Sequence, residues 1–137
     1  MQLNAYLFFN GQCEEAFRFY QKAIGAKPGP VSRFADAPGD NPIPDGFRDK
    51  VMHTSMTVGD TVVMASDGTP DRFQPPQGFS LCLSVTDPAE AERLFNGLSE
   101  NARTITMPLQ QTFWSLKFGM LVDQFGIEWM VNCAQAA

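Results

Sequence analysis

An α+β fold made of two βαβββ modules, about residues 1–68 and 78–137, is what this sequence predicts. Three observations point there. The order of elements, one strand, a helix and then further strands, runs through the chain twice. Sliding the halves over one another pairs "CEEAFRFY" with "PAEAERLF", so that Leu7 meets Cys82, Ala16 meets Ala91 and Tyr20 meets Phe95. A second slide pairs "HTSMTVGDTVVM" with "GMLVDQFGIEWM", setting His53 against Gly119 and Met64 against Met130.

Each element has a local reason. "AYLFF" is a short strand rich in aromatics, and "NG" turns the chain. A helix is predicted over Gln12–Ile24, because Cys13, Ala16, Phe17, Tyr20 and Ile24 form one apolar stripe. Asn10 is its expected cap, Glu14 and Glu15 suit its positive end, and Gly25 stops it. Residues 28–48 hold five prolines and three glycines, which forbid a long regular element. Phe34, Ile43 and Phe47 are that loop's apolar anchors. "KVMHTSMTVGDTVVMASD" reads as two strands about a turn at Gly59-Asp60.

After the linker "GTPDRFQPPQG" comes the alternating strand "FSLCLSV". The second helix opens with Asp87 as N-cap, Pro88 at N1 and Glu90 at N3. Ala91, Leu94, Phe95 and Leu98 are its stripe. "ARTITMPL", "FWSLKFGMLVD" and "GIEWMVN" are the last strands, the final two joined at Gln124–Gly126.

A βαβββ unit has a helix over one face of its sheet, so the other face must be buried elsewhere, and two units can curve about a common cleft. Alternation along strands then assigns faces. Leu81, Leu83 and Val85 suit the helix side, leaving Ser80, Cys82 and Ser84 toward the cleft. The repeat carries Ala5, Leu7 and Phe9 to the same place. Glu128, Met130 and Asn132 should face the cleft, and Trp129 the helices.

Composition narrows the function. The chain has 137 residues, 44% apolar and 18% charged, with net charge −5. An acidic balance argues against nucleic acid or an anionic membrane as main partner. No apolar run long enough to span a bilayer occurs, and the N-terminus lacks a signal-peptide pattern. Cys13, Cys82 and Cys133 form no CxxC pair and no disulfide framework, so a reducing cytoplasm is the expected location.

Together "YLFFNGQCEEAFRFY", "HTSM", "MASDG", "QTFW" and "DQFGIEWMVN" closely resemble the PhnB-like family of the vicinal oxygen chelate superfamily. That superfamily includes glyoxalase I, fosfomycin-resistance proteins and extradiol dioxygenases. The resemblance covers the whole chain. It implies paired βαβββ modules and a homodimer, often with strands or modules exchanged. Some members are labelled ubiquinone-precursor methyltransferases, yet this chain has no glycine-rich strand-to-helix turn of the kind that binds a nucleotide-like cofactor. Catalytic members of the superfamily hold a divalent metal with His and Glu. Those positions map here to Ala5, Met64, Ser80 and Met130, none a good ligand for such an ion. With a single histidine in the chain, no two-His site forms within one subunit.

The candidate residues follow. His53, placed on one strand face with Val51, Ser55 and Thr57, suits a general acid or base, or else a hydrogen bond at a strand end. Asp67 either orients His53, accepts a substrate donor or forms the turn before Gly68. Glu128 is a cleft carboxylate or an exposed turn residue. Trp114 stacks on a planar ligand, anchors a dimer or packs in the core. Leu7, Phe9, Ser80, Cys82 and Met130 line the pocket, with Cys82 the one thiol worth testing as a nucleophile. No cofactor is expected. A divalent metal held by His53, Asp67, Glu128 and Cys82 is the exception considered. The partners are a small molecule and a second copy of the chain. Three readings remain open: metal-independent acid–base chemistry through His53, sequestration of a small hydrophobic or aromatic compound without turnover, or a dimeric structural module with no ligand.

Overall fold

The computed structural model describes residues 1–40 and 42–135. The chain forms two compact units, Met1–Gln74 and Pro75–Ala137. In the first, β1 (Tyr6–Phe9) leads to α1 (Cys13–Ile24), then to the two-residue strands β2 (Lys27–Pro28) and β3 (Ser32–Arg33), and to the hairpin of β4 (Val51–Val58) and β5 (Thr61–Asp67). In the second, β6 (Leu81–Val85) is followed by α2 (Pro88–Ser99), β7 (Thr104–Gln110), β8 (Ser115–Val122) and β9 (Glu128–Ala134).

The two sheets share one topology. The first runs β1-β5-β4-β2, with β3 also on β4, and the second runs β6-β9-β8-β7. In each, the first strand lies parallel to the last and the remaining pairs are antiparallel. This is the paired βαβββ architecture that the repeat predicts.

Each helix packs its apolar stripe on its own sheet. In the first unit Cys13, Ala16, Phe17 and Tyr20 are buried. The Phe9 ring meets that of Phe17 edge-on, centroids 6.2 Å apart. Gly25 ends α1 with φ 71°, a left-handed conformation that glycine adopts without strain. In the second unit Ala91, Leu94, Phe95 and Leu98 are buried. There the helix comes so close that a Cβ on Gly119 would lie 2.6 Å from Phe95 Cε2. Only glycine fits at that point of β8.

The loop over 28–48 is tied down at several points. Arg33 donates to the Glu14 carboxylate at 2.8 Å and to the Asp49 carbonyl at 2.9 Å. Phe34 and Phe47 meet edge-on at 5.7 Å, and Phe47 is buried. Two of the three expected anchors therefore pack on each other.

Candidate functional site

Register decides which side chains the helices leave uncovered. Tyr6 pairs with Met64 and Phe8 with Ser66, while Ser55 lies across from Met64. Alternation then sets Tyr6, Phe8, Val62, Met64, Ser55 and Thr57 on one face of the first sheet. Leu7, Phe9, Val63, Ala65 and Met56 are buried on the other, under α1.

Leu7 and Phe9 are thus corrected. Both were expected toward the cleft, and both are 2% exposed in the helix-covered core, whereas Phe8 is 54% exposed. The cause is one residue of loop. Asn10, Gly11 and Gln12 connect β1 to α1, but only Thr86 and Asp87 connect β6 to α2. A slide that aligns the helices therefore misaligns the first strands by one, and a one-residue slip exchanges the faces. The register sets Tyr6 against Met64 as Cys82 is set against Met130, so Tyr6 is the counterpart of Cys82. Val51 needs a similar correction. Ser32 pairs with His53 but Arg33 with Val51, and this bulge turns Val51 inward while His53 stays exposed.

His53 meets Tyr6 on the uncovered face. The Tyr6 hydroxyl lies 3.3 Å from His53 Nδ1, a long hydrogen bond, and the rings are 5.8 Å apart at 36°. Phe8 extends the cluster, 5.0 Å from Tyr6. When the hydroxyl donates, Nδ1 is the acceptor and the proton sits on Nε2, so Tyr6 selects the imidazole tautomer.

Asp67 does other work. It is buried, and its two oxygens accept the backbone N–H groups of Cys13 and Val51, each at 2.9 Å. It therefore satisfies the first turn of α1, whose N-cap, Gln12, has no side-chain cap of its own. Asn10 does not take that role. The Cys13 thiol beside it is pushed up to about 12, first by burial and then by the charges of Asp67 and Glu14. That thiol is not a nucleophile near neutral pH.

In the second unit Cys82 is exposed and pairs with Met130, Ser84 pairs with Asn132, and Phe118 lies across from Asn132 on β8. Glu128, at the start of β9, is half-buried opposite Val122, and Ser80 is half-buried just before β6. Asn132 Oδ1 is shielded from solvent with no hydrogen-bond partner among the described residues. Beside this face an aromatic cluster stands out: Trp114 meets Phe118 edge-on at 5.6 Å and Phe113 at 4.7 Å, with Phe113 91% exposed. Trp129 points the opposite way, buried, donating Nε1–H to Asp123 at 2.8 Å.

The strands that would carry a metal offer the wrong donors. Met64 and Met130 supply thioethers, and their cross-strand partners are Tyr6 and Cys82. Among the described residues no three His, Cys, Asp or Glu side chains gather as ligands. This donor set does not fit a hard or borderline divalent ion.

Tyr6, Phe8 and Phe118 were missed from the sequence. All four residues of β1 are apolar or aromatic, so alternation alone cannot say which pair faces out. The signal for Phe118 was its spacing from Trp114 across the strand start.

The fold defines a class, proteins built from paired βαβββ units. Within it, the chain belongs to the family described as 3-demethylubiquinone-9 3-methyltransferase, whose sequence profile matches residues 1–132. It is similar to Protein YjdN of Escherichia coli strain K12, 32% identical over 96% of this chain and 95% of that one. The crystal structure of protein PA1353 from Pseudomonas aeruginosa superposes with a TM-score of 0.88, at 43% identity and 99% of both chains. The fosfomycin resistance protein FosX from Mesorhizobium loti, at 12% identity and a TM-score of 0.63, covers 98% of this chain and 92% of its own and shares the fold. Among the described residues no helix is long and apolar enough to cross a membrane.

Proposed function

We propose that this protein takes a small, partly aromatic molecule on the uncovered face of its first sheet, where His53 carries the proton of a metal-independent acid–base reaction. The observation behind this reading is the Tyr6–His53 pair, an imidazole beside a phenol with Phe8 for apolar contact. The Tyr6 hydroxyl on Nδ1 orients the ring and leaves Nε2 to pass a proton to or from a bound molecule. Methyl transfer is less well supported, because the loops after β1 and β6 lack a glycine-rich cofactor cradle.

The test uses the one histidine. Its ring gives a single set of proton NMR lines to follow while small aromatics are added. A bound substrate should shift those lines, and His53→Gln should lower turnover about a hundredfold or more. A ligand that binds tightly while the His53 lines stay still would overturn the reading.

Sequestration without turnover has its own support in the second unit, where Trp114, Phe113 and Phe118 form an exposed aromatic cluster. It predicts binding that survives His53→Gln and weakens in Trp114→Ala, read by tryptophan fluorescence. A homodimer remains part of the proposal and is checked by light scattering.

A further inference from the structure

At the far end of β1 and β5 the first unit has a half-open hollow of about 490 Å³, lined by Phe8, Asp67, Gly68, Thr69, Arg72, Phe73 and Gln74. That volume suits a small organic ligand. Its walls differ in what they have left to offer. Asp67 has both oxygens engaged by the N–H groups of Cys13 and Val51. The Thr69 hydroxyl bonds the Asp71 carboxylate, which is held below the ordinary range by that bond first, then by its own backbone N–H and by Arg72 through space. Gly68 donates its N–H to the Phe9 carbonyl at 2.8 Å. Arg72 is exposed, and its guanidinium makes no hydrogen bond or ion pair with another side chain among the described residues.

We propose that this hollow binds a small organic anion with a planar apolar body, its charge on Arg72 and its ring between Phe8 and Phe73. A guanidinium presents planar, paired donors that match a carboxylate, and it is the one cation among the residues that line the hollow. Phe8, 54% exposed, and the half-buried Phe73 supply apolar surface. The chain as a whole is acidic, net −5, so its long-range field does not gather anions; a local cation must do it. The same Phe8 touches Tyr6, and Tyr6 touches His53, so one ring borders both the hollow and the face described above. The inference rests on that reading and names its substrate class.

Calorimetry with benzoate, its neutral isostere benzamide, and acetate tests it on the intact chain. Benzoate should bind saturably, and benzamide and acetate about tenfold or more weakly. Arg72→Gln, a change at an exposed position that leaves the core untouched, should cost benzoate about tenfold in affinity and leave benzamide unaffected. Equal binding of benzoate and benzamide, unchanged benzoate affinity in Arg72→Gln, or no benzoate binding at millimolar concentration would each overturn the assignment. The His53 NMR lines separate this from the proposed function. Arg72-dependent benzoate binding that leaves those lines still keeps the hollow and removes the acid–base role. Movement of the lines with benzamide but not benzoate keeps the role and removes the anion.

Discussion

The two units reach the same strand order with a carboxylate placed differently. In the first, Asp67 sits at the end of β5 and bonds the starts of both α1 and β4. In the second, α2 is capped by its neighbour in sequence, with Asp87 accepting from Ala89 N–H at 3.1 Å. The buried carboxylate there, Asp123, instead closes the β8–β9 turn, accepting from the N–H groups of Phe125 and Ile127 and from the Trp129 indole. One unit secures its helix from a distance and the other locally. The need for a partner on every buried N–H is constant, and the sequence distance over which it is met is free.

Four substitutions sharpen this contrast. The largest loss is expected from Asp123→Ala, which strands three buried donors and should cost about 3–5 kcal/mol in urea unfolding. A loss under about 1 kcal/mol would show that water replaces the carboxylate. Asp67→Ala strands two buried backbone N–H groups and should cost about 2–4 kcal/mol, against about 1 for Asp87→Ala at the exposed cap of α2. Equal costs for these two would erase the distinction between the units. The smallest effect concerns Glu14, whose carboxyl is held below its usual range, first by the hydrogen bond from Arg33. A lowered folded value means that the stabilisation is present above the ordinary glutamate range and is lost as pH falls through the lowered value. The difference in urea midpoint between wild type and Glu14→Gln should therefore be greatest near neutral pH and vanish in acid. It should also shrink in salt, since both side chains are about one-third exposed.

What the sequence made legible was mostly local. The Gly59-Asp60 hairpin, the stop at Gly25 and the start of α2 at Asp87 each rest on residues within a few positions, and each stands as expected. Trp129 facing the helix followed from simple alternation in β9. The face of β1 did not, because four consecutive apolar side chains carry no phase and the longer β1–α1 loop misled the repeat. Nor did the role of Asp67, whose partners lie 54 and 16 positions away. Of the candidate site, His53 was visible as the single histidine, while its partner Tyr6 became visible only with the register. Arg72 and Phe73 looked like linker residues, since nothing in a strand or helix pattern marks the wall of a hollow.

The remote cap on α1 also bears on the order in which the chain organises itself. Helix α2 carries its own N-terminal acceptor from the moment it is synthesised. Helix α1 lacks one until the end of β5 returns across 54 positions to meet Cys13, and the entropy of closing that loop must be met first. The C-terminal helix is thus free to nucleate on local signals, whereas the N-terminal one, although made earlier, is completed only when its sheet is.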